Sequence, residues 1–289
     1  MLYKDRDGRI FEGGTSQDVF LRKAYGSRLG REFLKLLGRP FFSKAAGRFL
    51  DSRLSCLFID SFIRNNRIDL REYVPCRYRS FNDCFARRIK PSRRPVCDDP
   101  AALISPADGK ATAYRIDGNS VFEIKNSAYT VSSMLRDPEL AARYEGGTCV
   151  IVRLSVDNYH RYCYAASGHK GENIRLDGFF NTVNPIVLDY VDIYSENSRE
   201  YTVIESETFG KLIQMEVGAL LVGRIRNNEG EGEAVKGKEK GCFEFGGSTV
   251  VLLLEKDSVR VREDILKNSA EGYETKVLMG ERIGTASKA

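Results

Sequence analysis

A serine that directly follows two glycines is the residue of this chain whose setting most favours chemistry. Ser248 comes after Gly246 and Gly247, and the apolar, β-branched run 249–254 comes after it. Such a run predicts a buried strand. Because glycine reaches backbone angles closed to other residues, the Gly247 carbonyl can turn toward the Ser248 hydroxyl. This permits attack of a serine on its own preceding peptide bond, although a β-bulge or hairpin end is the simpler interpretation of the segment alone.

Few side chains are available for acid–base chemistry. His160 and His169 are the two histidines, so any histidine chemistry must use one of them. His160 follows a predicted strand over 148–156, and Asp108 lies in Pro-Ala-Asp-Gly, which by itself is a turn. Seven scattered cysteines without a CxxC pair indicate reduced thiols, and neither a disulfide framework nor a zinc site is predicted.

Charge is distributed unevenly along the 289 residues. The net charge is +5, but residues 1–100 hold 22 Lys and Arg against 12 Asp and Glu, and the remainder holds 23 against 28. The first third is therefore expected to face something anionic. No apolar stretch approaches the roughly 18 residues of a membrane span, and the first residues do not read as a signal peptide. There is no nucleotide-binding glycine-rich loop.

Helices are predicted for the N-terminal third. An apolar stripe at every fourth residue runs over 21–37, a second helix is predicted over 43–63, and a short third helix over 80–88. One side of the second helix is predicted to carry its apolar residues: Phe49, Leu50, Leu54, Leu57, Phe58 and Phe62. A basic cluster follows, formed by Arg87, Arg88, Lys90, Arg93 and Arg94. The apolar stripes of these helices pack on the rest of the protein, or part of the apolar surface, rimmed by Arg and Lys, lies in the plane of an anionic bilayer. Both can be true of different faces.

From residue 101 the pattern changes to short strands separated by turn residues, interrupted by one helix predicted over 131–144. The segment 91–100 is predicted to be a linker. The fold class is α+β, with a helical N-terminal third packed on a mainly antiparallel β barrel or sandwich. We expect a basic, membrane-facing subdomain over 1–95 and a catalytic domain over 101–289.

Four stretches in the β body together carry a family likeness. They are Ile104-Ser105-Pro106-Ala107-Asp108-Gly109-Lys110, Asp157-Asn158-Tyr159-His160-Arg161-Tyr162, Thr182-Val183-Asn184-Pro185 and Gly246-Gly247-Ser248-Thr249. Each is weak alone, but in this order and spacing the chain resembles phosphatidylserine decarboxylase, a pyruvoyl-dependent enzyme of phospholipid synthesis. The likeness covers essentially the whole chain.

The resemblance implies a self-cleaving proenzyme. Ser248 would attack the Gly247 carbonyl, the chain would split into a β chain of residues 1–247 and an α chain of residues 248–289, and Ser248 would end as the pyruvoyl cofactor. No metal or nucleotide would be needed. Asp108 matches the acid of a relay that activates the serine, as in triad logic. His160 matches the residue that assists decarboxylation, Arg161 either binds the substrate carboxylate or phosphate or is structural, and Asn184 shapes a loop lining the site.

The chain departs from the family pattern at one position. Relatives carry a second histidine as the base for self-cleavage where this chain has Cys163, and Asn181 stands where some relatives have a histidine. A thiol, with an ordinary pKa of about 8.5, is not an equivalent base. Three readings stay open: His160 serves both steps, His169 folds back into the site, or processing is slow or absent.

The implied partners are phosphatidylserine in an anionic membrane and the two cleaved chains as a heterodimer, with a homodimer of heterodimers as a further option. Nucleic acid is not implied. The implied location is peripheral, on the cytoplasmic face of the cell membrane, without a transmembrane span. Two other functions compete: an uncleaved paralogue that binds anionic lipid, and a pyruvoyl decarboxylase of a soluble amino acid.

Overall fold

The computed structural model describes residues 2–5, 8–12, 27, 30, 47–117, 121–124, 127–178, 197–218, 224–244 and 248–287. The strands are β1 (Leu2–Lys4), β2 (Ile10–Glu12), β3 (Ala102–Ile104), β4 (Gly109–Arg115), β5 (Val121–Ile124), β6 (Ser127–Thr130), β7 (Thr148–Leu154), β8 (Arg161–Cys163), β9 (Gly168–Lys170), β10 (Ile174–Leu176), β11 (Arg199–Ser206), β12 (Gly210–Gly218), β13 (Ile225–Asn227), β14 (Gly232–Ala234), β15 (Glu239–Phe243), β16 (Ser248–Leu254), β17 (Val259–Val261), β18 (Glu274–Val277) and β19 (Arg282–Ala286). The α-helices are α1 (Ile59–Asn65), α2 (Phe81–Phe85), α3 (Val131–Leu135), α4 (Pro138–Ala142) and α5 (Glu263–Ala270), and 3₁₀ turns span Arg53–Phe58, Leu70–Glu72 and Pro91–Arg93.

One large sheet organises the body. Its strand order is β14-β9-β11-β12-β16-β7-β4-β18-β1-β2, with β10 added beside β11. Neighbouring strands are antiparallel except β1 and β18. All seven residues of β16 are buried at the centre of this sheet. Because side chains alternate along a strand, Val251 and Leu253 enter one core cluster and Val250, Leu252 and Leu254 enter another on the opposite face.

Two three-stranded sheets accompany the large one. The sheet β13-β15-β8 contributes Tyr162 and Phe243 to the core cluster that contains Val250, so we place it over that face of the large sheet. The sheet β17-β19-β3 contributes Leu103 and Ile283 to the same cluster. The prediction of a mainly antiparallel α+β protein is confirmed, and the sheets form no closed barrel within the described residues.

The predicted helix over 43–63 is interrupted. Residues 47–50 are helical, the chain turns at Asp51 and Ser52, and a 3₁₀ segment precedes α1. Ser52 donates to the Phe49 carbonyl at 2.6 Å and Ser55 to the Leu50 carbonyl at 2.9 Å. Serine hydroxyls that bond to nearby backbone compete with helical hydrogen bonding, which explains the interruption.

The interruption also divides the apolar stripe between two faces. Leu50 and Phe62 pack against the buried cluster that includes Phe81 and Phe85. The other four apolar residues are exposed: Phe49 by 46%, Leu54 by 68%, Leu57 by 81% and Phe58 by 53%. The six residues were predicted on one side of a continuous helix, and the structure instead divides them between the core and the surface. The predicted stripe over 21–37 lies outside the described residues.

The predicted helix over 131–144 is two helices, α3 and α4. Arg136 adopts a left-handed φ of 52°, and Pro138 occupies the first turn of α4. A residue that precedes proline is disfavoured in the helical region, so the chain breaks at Asp137. The Asp137 carboxylate then accepts from the Leu140 N–H at 2.9 Å and caps α4.

The predicted linker over 91–100 is held against the body. The Cys97 N–H donates to the Gly280 carbonyl at 2.9 Å, and the side chain of Arg94 reaches Asp108. The boundary between the two expected units, 1–95 and 101–289, stays a prediction.

Candidate active site

Ser248 is the first residue of β16 and is fully buried. It lies opposite Gly218 of β12 and Leu154 of β7. Directly opposed residues of antiparallel strands share a face, so its side chain points to the same face as Leu154 and Val250. That is the face covered by the β13-β15-β8 sheet. Gly246 and Gly247 lie outside the described residues, and so does Asn184.

His160 is held beside the end of β15, the strand that precedes β16. Its carbonyl accepts from the Phe243 N–H at 2.9 Å, and Phe243 ends the strand that leads to Ser248 five residues later. The ring is fully buried and packs on Phe85 with 4.0 Å between ring centroids.

The hydrogen bonding of His160 defines its tautomer. Nδ1 lies 2.9 Å from the Asn158 carbonyl oxygen. A carbonyl only accepts, so Nδ1 carries the proton and Nε2 presents a lone pair. Nε2 is buried and has no hydrogen-bond partner in the described part of the chain. Burial, and then the charge of Arg87, lowers the pKa of His160 to about 3 against the effect of the Asn158 bond, so the ring is neutral at physiological pH.

Asp108 sits at the same end of the large sheet. Lys110 pairs with Arg153, and Ser248 pairs with Leu154, which places the start of β4 two strands from Ser248, about 10 Å between backbones. Gly109 is required there, because a Cβ would lie 2.6 Å from the Arg153 carbonyl oxygen.

The Asp108 carboxylate is buried and accepts several hydrogen bonds. Arg94 donates Nε to Oδ1 at 2.7 Å and Nη2 to Oδ2 at 2.6 Å, and the Met279 N–H donates to Oδ1 at 2.9 Å. His160 uses Nδ1 for the Asn158 carbonyl, so among the described residues the two members of the expected relay form no hydrogen bond with each other. Any action of Asp108 on His160 is therefore through charge or through an intervening group.

Cys163 lies beside the Asp108 turn. Its N–H donates to the Pro106 carbonyl at 2.8 Å, and its thiol is 3.9 Å from the Ser105 carbonyl oxygen. Burial raises the pKa of the Cys163 thiol to about 12, and the Asp108 charge adds to this. The side chain is a protonated thiol at neutral pH and cannot serve as a base there.

His169 is remote from Ser248 in this structure. It lies on β9 opposite Glu205 and Glu233, and its ring nitrogens are 3.6 Å from a Glu231 oxygen and 3.4 Å from a Glu233 oxygen. Across the sheet, His169 is level with Lys211 of β12, whereas Ser248 is level with Gly218 of the same strand. The two side chains are therefore three strands apart and seven residues apart along the strands, and the seven residues alone span roughly 24 Å. The structure does not bring His169 to the serine.

The Arg161 side chain is hydrogen-bonded within the protein. It donates to the Ala86 carbonyl and to Glu239, both at 2.8 Å, and is 9% exposed. These bonds favour the structural alternative for Arg161.

Two arginines of the basic cluster are placed differently from the expectation. Arg87 is 2% exposed, and the Arg94 side chain is 9% exposed. Their neighbour Arg88 is exposed, as expected. In the sequence, the five residues were grouped by their charge alone, and nothing in their spacing distinguished the two buried members. Asn158 belongs to the motif at 157–162, but the hydrogen bond from His160 to its carbonyl depends on the tertiary structure.

A buried ion pair lies on the face of the large sheet that Ser248 shares. Lys240 donates to Glu216 at 2.5 Å, and their side chains are 1% and 0% exposed. Glu216 lies opposite Val250, two residues from Ser248. Asn227 and Gln214 complete the cluster with hydrogen bonds of 2.9 Å from Lys240 and 3.2 Å to Glu216. Burial raises the pKa of Glu216, although Lys240 opposes this.

A model of the family described as phosphatidylserine decarboxylase matches residues 81–285, which contain every site residue described above. The chain belongs to the phosphatidylserine decarboxylase family. It is similar to phosphatidylserine decarboxylase proenzyme 2 of Clostridium acetobutylicum, with 45% identity over 265 residues and 91% of each chain covered. It is also similar to the phosphatidylserine decarboxylase proenzymes of Clostridium novyi, at 40% identity, and Clostridium botulinum, at 42%, each with 93% of both chains covered. The enzyme is thus a carboxy-lyase.

Phosphatidylserine decarboxylases are pyruvoyl-dependent in general. Across the described residues, no group of three or more His, Cys, Asp or Glu side chains is arranged to hold a metal ion. Within the same ranges, none of the helices combines the length and apolarity that crossing a membrane requires.

Proposed function

We propose that this chain converts phosphatidylserine to phosphatidylethanolamine with a pyruvoyl group that it makes from Ser248. The observation that carries the proposal is a fully buried serine at the head of the central strand. Beside the end of the preceding strand lies a neutral histidine whose Nε2 has no partner among the described residues. Those features fit a site that first activates a serine hydroxyl for self-cleavage and then accepts and returns a proton during decarboxylation.

Self-cleavage would begin at the Ser248 hydroxyl. Its oxygen bonds to the Gly247 carbonyl carbon, the peptide C–N bond breaks, and an ester replaces the amide. Removal of the Ser248 Cα proton then expels the Gly247 carboxylate and leaves dehydroalanine, which water hydrolyses with release of ammonia. His160 is the base we assign to the hydroxyl proton, because Cys163 is protonated and His169 is remote.

The pyruvoyl ketone, once formed, supplies an electron sink for the loss of CO₂ that no ordinary side chain provides. Ser248 lies between β12 and β7, which would hold position 248 rigidly. His160 Nε2, neutral and unprotonated, would accept a proton from the substrate ammonium and return one to the product. Burial excludes competing water from this transfer.

The two products of cleavage would stay together as a heterodimer. Residues 248–287 supply β16 between β12 and β7, β18 beside β4, and β19 beside β3. Cutting before β16 removes one covalent bond and none of these strand pairings.

The test is the intact mass of freshly purified protein, supported by a denaturing gel. We expect two chains that divide between Gly247 and Ser248, with the smaller chain reacting with a hydrazide. A single 32.6 kDa chain that forms no ethanolamine lipid would favour the uncleaved lipid-binding paralogue instead.

We expect Asp108→Asn to slow self-cleavage by about tenfold or more, because the change removes the buried negative charge beside the site that Arg94 binds at 2.6 Å. The rate of chain splitting after rapid expression or in vitro synthesis measures this. Glu274→Gln is the matched control, since Glu274 is equally buried and forms an ion pair with Arg153 at 2.6 Å. Equal rates in the two variants would remove Asp108 from the cleavage machinery.

We also propose that the enzyme docks peripherally on anionic membrane through an apolar patch formed by Phe49, Leu54, Leu57 and Phe58. These residues are 46–81% exposed, and Arg48 and Arg53 lie in the same segment. An exposed apolar patch beside basic residues is suited to the headgroup and acyl boundary of an anionic bilayer. A decarboxylase of a soluble amino acid would have no use for it.

The double variant Leu54→Asp/Leu57→Asp should bind phosphatidylserine-containing vesicles about a hundredfold more weakly, since each leucine contributes about 1.5–3 kcal/mol on full burial in an apolar phase. Vesicle flotation measures the loss. Leu266→Asp, which changes a 43% exposed leucine on α5, should bind as the unchanged protein does. Equal weakening by Leu266→Asp would argue against this patch.

A further inference from the structure

Arg87 is a buried cation that has no acidic partner among the described residues. Its hydrogen bonds go to neutral oxygens: the Tyr73 hydroxyl at 3.1 Å and the carbonyls of Asn158 at 3.3 Å, Asp157 and Cys84 at 3.4 Å and Phe85 at 3.5 Å. Its Nε finds no partner in the same part of the chain. Buried charges are normally paired because their desolvation is costly, so this placement calls for a functional reason.

The reason we find is a carbonyl that Arg87 shares with His160. Arg87 Nη2 and His160 Nδ1 both donate to the Asn158 carbonyl oxygen, at 3.3 and 2.9 Å. The Asn158 side chain accepts from the Ser155 N–H at 2.8 Å, and the Asn158 N–H donates to the Ser155 carbonyl at 2.9 Å. This closed turn fixes the direction of the carbonyl between the two donors.

We propose that Arg87 is a positioning residue for His160: it anchors the Asn158 carbonyl, holds the imidazole as the Nδ1–H tautomer, and keeps Nε2 available as a lone pair. The hydrogen bond made at one ring nitrogen decides where the proton of the other resides. The positive charge of Arg87 additionally opposes a second proton on the ring. The catalytic consequence rests on the proposed function, whereas the tautomer does not.

The other titratable groups around this corner do not compete for the role. Arg161 is paired with Glu239 and Asp108 with Arg94, and the Asp157 residue is exposed. Burial raises the pKa of the other nearby tyrosines and cysteines, so they are neutral at physiological pH: Tyr73, Cys84, Tyr159, Cys163 and Cys242. Among the described residues, Arg87 is thus the charged side chain with the main effect on the His160 ring.

The direct test is nitrogen NMR of histidine-labelled protein, which needs no enzymatic activity. With only two histidines, His169→Gln identifies the His160 signals. We expect Nδ1 of His160 to be protonated and Nε2 unprotonated at pH 7, with no further protonation down to pH 5. An Nε2–H tautomer, or a ring that is charged at pH 6, would overturn the proposal without any variant.

Variants then test the role of Arg87. In Arg87→Met we expect mixed tautomers and a pKa of His160 that is higher than in the unchanged protein but still below its ordinary value, because the ring stays buried. As the pH is lowered, kcat/KM should therefore begin to fall at a higher pH than in the unchanged enzyme. Arg88→Met makes the same change at the adjacent exposed arginine and should have neither effect. Arg87→Lys keeps the charge and should retain the pH profile of the unchanged enzyme.

Two outcomes would contradict this role. One is a folded Arg87→Met protein with unchanged tautomer and pH profile; the other is an Arg87→Lys profile shifted as far as that of Arg87→Met, which would make packing, not charge, the cause. If Arg87→Met does not fold, the unchanged protein and Arg87→Lys decide the question. Absence of decarboxylase activity combined with the expected NMR signals would reject the proposed function and leave the role of Arg87 intact.

Discussion

Ser248→Ala is expected to yield a folded, continuous chain of about 32.6 kDa that has no detectable decarboxylase activity and no hydrazide-reactive product. The change removes only one oxygen from a side chain at the head of β16, and the strand pairings to Gly218 and Leu154 run through the backbone. Loss of splitting would therefore report the missing nucleophile and not a missing fold. Intact mass and a denaturing gel give the result directly.

Thr249→Val is the matched control for that experiment. It also removes one hydroxyl, one residue further along the same strand, but on the opposite face of the sheet. The Thr249 hydroxyl is buried and without a hydrogen-bond partner among the described residues, so its loss should not cost stability. We expect this variant to split normally. Splitting in Ser248→Ala, or its loss in both variants, would refute Ser248 as the specific nucleophile.

Lys240→Met should lower the free energy of unfolding by about 3–5 kcal/mol, because it leaves Glu216 buried without its charged partner. Replacement of both partners in Glu216→Leu/Lys240→Met should restore stability to near that of the unchanged pair, since two apolar side chains need no desolvation of charge. Denaturant unfolding in the Ser248→Ala background measures both, because a continuous chain unfolds and refolds as one molecule.

Lys238→Met is the control for the ion pair. Lys238 is close by in the chain and forms a 2.7 Å ion pair with Glu229, but both side chains are more than 40% exposed. Exposed pairs contribute about 0–1 kcal/mol, so this variant should lose little. A double variant as unstable as Lys240→Met alone would show that the cost arises from packing and not from an uncompensated charge.

Much of the architecture follows from local pattern. The apolar run at 249–254 predicted a buried strand, and β16 is buried over its whole length. The predicted strand over 148–156 agrees with β7 to within two residues. The helices were less well predicted, because serine side chains at 52 and 55 and Pro138 redirect the backbone within runs whose apolar spacing looked continuous.

The sequence by itself determined the family, through four short motifs in a fixed order, and it determined the candidate nucleophile and histidine, since only two histidines exist. The tertiary structure alone decided which groups contact each other, which are buried and which lie far from the site. Arg94 binds Asp108, Asn158 holds His160, Arg87 is buried and His169 is distant. The physical reason is the separation, along the sequence, of the residues that interact. Backbone preference and alternation are encoded between near neighbours, whereas burial, tautomer and charge pairing arise between distant residues, such as Asp108 and Met279, which are 171 positions apart.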